Sequence, residues 1–243
     1  MPATVPTPTF GPGALRFLRA LARNNRKPWF EANRERYERE LRAPMRALIE
    51  EMDTRFGRFA PEITGDPRRS MFRIHRDVRF SRDKSPYKTH AACWFHHRDA
   101  TRQVGQESES GSAGFYFHLQ PDQCFLGAGL WMPPRGQLGK IRDAMAEKPA
   151  AFLRIVNDRT LSRRYGGLDD DAVLKRMPRG YPDDHPVAGW LKYQSFTMGR
   201  SITDAQATGR ALPKLLEQDY ERLLPLVRWL NGALGMERRS AKY

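Results

Sequence analysis

Ala113-Gly114-Phe115-Tyr116-Phe117-His118-Leu119-Gln120-Pro121-Asp122-Gln123-Cys124-Phe125-Leu126-Gly127-Ala128-Gly129-Leu130-Trp131 decides the fold. Residues 113–119 and 123–131 flank the turn residues Gln120-Pro121-Asp122 and read as two strands. Upstream, 89–97 alternates and reads as another strand. Residues 72–80 read as the first, with Phe72, Ile74, Val78 and Phe80 on one face and Arg76 interrupting them. No crossover helix separates these four, so the order is that of an antiparallel meander. A short element at 190–198 supplies a further strand. The expected sheet therefore has about four to five strands.

Helical periodicity flanks the sheet. Leu15, Leu18 and Leu21 share one face of 12–23, and Asn24-Asn25 tolerates a left-handed stop. A second helix starts at Pro28 and carries Trp29, Phe30, Tyr37 and Leu41 until Pro44, which should break or kink it. A third runs on to about Phe56. Helical pattern returns over 137–147, restarts after Pro149, and ends in a long helix at about 213–230. Helices, a central antiparallel sheet, then more helices make the fold class α+β.

The chain has 243 residues, 40% hydrophobic and 29% charged, which suits a single self-supporting globular domain, placed at 12–235. The Pro/Thr-rich start, 1–11, reads as a flexible tail and not a secretory signal. The Gly-, Ser- and Glu-rich 99–114 reads as a mobile hairpin loop. No apolar run approaches the roughly 20 residues that span a bilayer. Two cysteines, Cys93 and Cys124, form no disulfide framework and lack zinc-pair spacing, so the expectation is reduced thiols in a cytoplasmic protein. No cofactor and no membrane partner is expected.

Forty-two Lys and Arg against 28 Asp and Glu give a net charge of +14, a field that attracts phosphates and nucleic acid. The excess is spread along the chain and is mostly Arg, which a GC-rich genome also produces. The local signal is sharper. Between Arg73 and Lys88 six Lys or Arg stand against two Asp. On a strand, Arg73, His75, Asp77 and Arg79 share one face roughly 6–7 Å apart. Guanidiniums at that spacing grip a phosphate or carboxylate through paired hydrogen bonds. A solvated sheet face with Arg–Asp pairs explains the same residues. Arg76 falls on the apolar face, so it should be buried and paired, with a carboxylate or with helix C-terminal carbonyls. In 81–88, Lys84 and Lys88 flank a turn that lacks the P-loop spacing.

Several blocks resemble the signatures of one family: Asn24-Asn25 with Trp29-Phe30, the stretch from Arg73 to Lys88, Gly127-Ala128-Gly129-Leu130-Trp131, and Pro178-Arg179-Gly180-Tyr181 with His185-Pro186. The family is domain of unknown function 2461, and the resemblance runs from about residue 10 to 230. It implies one soluble α+β domain and lends no activity, cofactor or catalytic residue. His75 stands where the family's pattern has an aromatic or similar residue.

The leading expectation is a cleft binding a phosphate-bearing ligand, either nucleic acid or a nucleotide-like molecule. Its contacts are Arg73, Arg79, Lys84 and Lys88, with Arg76 and Asp77 as organisers and Tyr87 and Arg179 as further ligand-binding candidates. The Arg179 loop is expected to fold over the sheet and bring His185 with it. One alternative is a phosphoester-processing enzyme with His75 as proton carrier oriented by Asp77. Another is an interaction module for acidic protein surfaces. Histidines 75, 90, 96, 97 and 118 fall in the expected sheet, but the spacing does not make a metal site. Gly127-Ala128-Gly129 reads as close backbone packing, not a dinucleotide fingerprint. Tyr87, Trp94 and Tyr116 are the aromatics placed to stack on bases, should they be exposed.

Overall fold

The computed structural model describes residues 10–100 and 111–237. Its centre is a five-stranded sheet, β1 (Ile63–Thr64), β2 (Ala91–His97), β3 (Gly114–Leu119), β4 (Phe125–Leu130) and β5 (Phe196–Ser201). The strands lie in chain order and every neighbour is antiparallel. Eleven α-helices surround it among the described residues. The sequence reading of an α+β meander is the observed architecture, with the first strand misplaced and the last displaced: Trp190 and Leu191, read as strand, are helical, and the strand runs from Phe196 to Ser201.

The first edge strand is Ile63–Thr64, not 72–80. Residues 71–76 instead pair irregularly with 86–93, the stretch that runs into β2. This ribbon is held by Phe72 N–H to the Ala92 carbonyl (3.1 Å), Lys88 N–H to Ile74 (2.7 Å) and Arg76 N–H to Pro86 (2.9 Å). Pro86 offers no N–H in return, so a regular ladder cannot propagate. At Asp77 the chain turns: its carboxylate takes the Arg79 N–H (3.2 Å), and Ser81 N–H bonds to the Val78 carbonyl (3.3 Å). The alternation therefore ends before Phe80, which is 95% exposed where a core position was expected.

Helix α1 (Pro12–Arg23) buries Ala14, Leu15, Phe17, Leu18 and Leu21. It stops at Asn24 without a left-handed residue; the Asn24 side-chain amide bonds to the Ala20 carbonyl instead (3.0 Å). Next come α2 (Lys27–Ala32), α3 (Arg34–Tyr37), a π-helical turn (Glu38–Arg42) and α4 (Ala43–Phe59). Pro44 neither breaks the chain nor bends it away. Ala43 N–H reaches back to the Glu38 carbonyl, and the widened turn precedes the residue that lacks its own N–H. After α5 (Pro67–Ser70) and strands β2–β4, helices α6 (Arg135–Glu147), α7 (Pro149–Val156), α8 (Arg159–Tyr165) and α9 (Ala188–Leu191) fill the link to β5. Then α10 (Asp204–Thr208) leads into α11 (Leu212–Ala233). Among the described residues no helix is long and apolar enough to cross a membrane.

The sheet has two different faces. Cys93, Phe95, Phe115, Phe117, Leu126, Ala128 and Met198 are buried on one. Phe56 of α4 stacks on Phe115 (5.6 Å between ring centroids), as does Tyr220 of α11 (4.5 Å). The Tyr220 hydroxyl donates to the Tyr116 carbonyl (3.0 Å), so its polar atom is satisfied in the core. Burying each such ring contributes roughly 1.5–3 kcal/mol. Asp219, next in the chain and fully buried, accepts from Arg164 of α8, Arg200 of β5 and the Tyr165 hydroxyl. Phe10, read as part of the tail, is buried against Phe117 (6.1 Å); residues 1–9 lie outside the described residues. In the expected 99–114 loop, Ala100, Ser112 and Ala113 are buried and 101–110 lie outside the described residues.

Candidate functional site: an aromatic cleft on the open sheet face

The opposite face of the sheet is built from three cross-strand rows. Trp94, Tyr116, Gly127 and Gly199 stand side by side across β2 to β5. His96, Gly114, Gly129 and Thr197 form the next row, and Ala92, His118, Phe125 and Ser201 the one before. Large side chains on β2 and β3 thus face glycines on β4 and β5. This difference in height opens a cleft of about 810 Å³. Phe72, Trp94, Tyr116, Phe125 and Trp131 wall it, Gly127 and Gly199 lie along its floor, and His96, Ala100 and Ser112 also line it. Asp169 and Asp171 stand at the β5 side.

The walls are braced. Phe72 meets Tyr116 edge-on (5.9 Å), and His118 stacks on Phe125 (4.6 Å) and lies against His90 (4.4 Å). The Tyr116 hydroxyl and His118 Nδ1 are 2.9 Å apart, and His118 Nε2 is 3.0 Å from Gln120 Oε1. An amide oxygen only accepts, so Nε2 carries the proton and the tyrosine donates to Nδ1. Burial lowers the pKa of both imidazoles, His90 to about 4 with His118 and Lys88 adding to it. These two rings are neutral at neutral pH. Trp131 is 70% exposed at the rim, and Met132 beside it is also exposed.

At the other side, Thr197 donates its hydroxyl to Asp169 (2.7 Å), and Asp169 N–H bonds to the Thr197 carbonyl (2.9 Å). Burial raises the Asp169 pKa; the Thr197 bond opposes this and Asp171 and Asp170 add to it. Lys88 packs on the Phe72 wall without itself lining the cleft, its ammonium 5.1 Å from the centroid of the Phe72 ring. Burial, with a contribution from Arg73, lowers the Lys88 pKa.

The basic residues read from the sequence do not form one open cluster. Arg76 is half-buried and paired with Asp83. Arg79 is held by Asp77 (2.7 Å), whose own pKa falls to about 2 through that side-chain bond. Lys84 donates to the Val78 carbonyl (3.0 Å) and closes the loop. Asp77 is thus committed to Arg79, and no hydrogen bond joins it to His75, which is exposed and packs against Tyr87 (5.2 Å) and Phe30 (6.3 Å). Tyr87 is not a surface residue: it is 3% exposed, stacked on Phe30 at 4.1 Å. The Asn25 side chain clamps its backbone in both directions, donating to the Tyr87 carbonyl (2.8 Å) and accepting its N–H (3.0 Å). Arg73 is exposed and makes no hydrogen bond or ion pair to another described residue.

Arg179 is exposed, but its loop is tied to α6 by Tyr181 donating to Asp143 (2.6 Å), and neither Arg179 nor His185 lines the cleft. Of the five sheet-region histidines, His90 and His118 lie together and the others do not join them. His96 and His97 face opposite ways, His97 bonds through Nε2 to the Glu237 carbonyl, and among the described residues no cluster of three or more metal-ligating side chains occurs. Cys93 and Cys124 are buried and unpaired, and burial raises both thiol pKa values. The sequence marked Trp94 and Tyr116 as stacking candidates and Gly127-Ala128-Gly129 as close packing. It named His96 only among histidines weighed for a metal and Trp131 only within a family block, and it did not mark Phe125 or Asp169. The shared parity of Trp94 with His96 and of Tyr116 with His118 is the signal that places them on one face.

A family model described as conserved hypothetical protein (DUF2461) matches residues 13–229. No curated protein and no solved structure matches the chain. The family blocks now have structural reasons: Asn25 and Phe30 hold Tyr87 in place, and Gly127 to Trp131 runs from the cleft floor to its rim. The chain belongs to the DUF2461 family.

Proposed function

We propose that the cleft binds a ligand that joins a planar ring to a phosphate: a nucleotide, or a nucleotide unit of single-stranded nucleic acid. One observation carries this reading, the row of Trp94 and Tyr116 beside Gly127 and Gly199 on an uncovered sheet face. An aromatic step next to a glycine floor leaves room for a ring to lie against the walls, and stacking on such side chains contributes roughly 1–3 kcal/mol per base. Lys88 and Arg73 supply positive charge at the Phe72 wall, where the phosphate sits. Arg76, Arg79 and Lys84 shape the loop that carries Arg73, and the net charge of +14 draws anionic ligands from a distance. The reading is one of binding, because His75 lacks the carboxylate partner that acid–base chemistry was expected to use.

Calorimetric titration tests it, comparing nucleoside monophosphates with the matching nucleosides. The expected result is saturable binding of the monophosphates, weakened about tenfold or more in Trp94→Ala. The nucleosides bind more weakly than the monophosphates, and Lys88→Ala removes that difference. Binding unaffected by Trp94→Ala overturns the reading. An acidic protein that binds in competition with nothing in this panel would instead favour a docking role.

A further inference from the structure

Among the described residues that line the cleft, His96 is the buried polar one with an unpartnered atom. It is 2% exposed, it is among the residues that line the cleft, and its Nε2 has no hydrogen-bond partner. Its other ring nitrogen, Nδ1, lies 3.0 Å from the His97 carbonyl oxygen. A carbonyl oxygen only accepts, so Nδ1 carries the proton and Nε2 presents a lone pair. Burial also lowers the pKa of the ring, which keeps it neutral. A buried acceptor left without a donor costs roughly 1–3 kcal/mol, and native structures seldom leave one without a reason.

Toward β5, Asp169 and Asp171 are carboxylates, and the Thr197 hydroxyl hydrogen is already given to Asp169. Arg200 also lines that side, but its donors are given to Asp219 and the Ser201 carbonyl. The acceptor at His96 is therefore answered by no donor of this side and asks the ligand for one.

We infer that His96 Nε2 is the acceptor that selects a ring bearing an amino group, so that the cleft takes an aminopurine or aminopyrimidine nucleotide in preference to rings lacking a donor. This rests on the ring-and-phosphate reading of the cleft and adds which ring. An unpaired buried acceptor discriminates strongly because the analogue without the donor leaves it unpaired again.

The test uses ligand pairs that differ in the amino group alone. These are adenosine 5′-monophosphate with purine riboside 5′-monophosphate, and cytidine 5′-monophosphate with its 4-deamino, 2-pyrimidinone counterpart. For at least one pair, the wild-type protein is expected to bind the amino compound about tenfold or more tightly, a difference of about 1.4 kcal/mol. His96→Leu brings the amino compound down to the affinity of its partner and changes the partner's affinity less than threefold. Equal affinity within both pairs for the wild-type protein overturns the inference and leaves the cleft reading standing. No binding of any of the four overturns both. The wild-type comparison needs no variant, so a misfolded His96→Leu does not blunt it.

Discussion

Gly114 and Gly129 stand opposite each other across β3 and β4, and neither position has room for a side chain. A Cβ on Gly114 would lie 1.9 Å from the Phe95 carbonyl oxygen, and one on Gly129 would lie 1.9 Å from that of Phe196. Gly129 also has φ +128, a conformation open to glycine alone. The close approach of neighbouring strands therefore fixes these glycines, in the cross-strand row whose outer members, His96 and Thr197, line the cleft.

Gly129→Ala is expected to destabilise the protein by about 3 kcal/mol, through strain at a special backbone position. Gly139→Ala, inside α6 with nothing near its Cβ, is expected to stabilise by about 0.5–1 kcal/mol. Urea denaturation of the two variants checks the opposite signs.

Asp219 ties α8, β5 and α11 together from a fully buried position. Its pKa falls to about 2 because its bonds to Arg200, Arg164 and Tyr165 outweigh the cost of burial, which acts the other way and is the largest single influence. A depressed carboxylate stabilises the fold above its unfolded pKa and loses that contribution as pH falls through the folded value. Stability should therefore drop by about 2 kcal/mol between about pH 4 and pH 2 on this account. Asp219→Asn should flatten that part of the profile and cost about 3–5 kcal/mol at neutral pH. Thermal denaturation across pH reads both.

Asn25 pins the ribbon to the helical layer through Tyr87. Asn25→Ala is expected to cost about 1–3 kcal/mol, since the Tyr87 N–H and carbonyl lose their partners. Amide hydrogen exchange should quicken across 71–88 and stay unchanged in β3 and β4. A uniform rise over the whole sheet would show that the clamp is not local.

Trp131 tests the cleft rim separately from the core. With 70% of its surface exposed, Trp131→Ala should alter stability by less than about 0.5 kcal/mol. Affinity for the ring-bearing ligand should nevertheless fall severalfold, measured by calorimetry.

The meander was legible because β2, β3 and β4 combine alternation with turn residues between them. The last helix was legible because its apolar residues recur at helical spacing over twenty-two positions. Residues 72–80 misled because the alternation is real as far as Arg76, while the turn at Asp77 depends on local side-chain bonds that periodicity does not record. Tyr87 misled for another reason. Its burial comes from Asn25 and Phe30, sixty-two and fifty-seven positions away, which no local pattern contains. The cleft was half legible: Trp94 and Tyr116 stood out as aromatics of the sheet. The glycines of β4 and β5 that share their row, and the unpartnered Nε2 of His96, required the structure.

The most direct test of a ring-and-phosphate cleft is the anisotropy of a labelled single-stranded oligonucleotide across a salt series, in wild type and Trp94→Ala. With Lys88 and Arg73 as the phosphate contacts, the slope of log K against log salt should be about −1.4, near −0.7 for each of two phosphates. Binding should be displaced by mononucleotide and lost in Trp94→Ala. A steep slope that persists in Trp94→Ala and resists mononucleotide would contradict the account, and would assign the affinity to the dispersed charge of the surface.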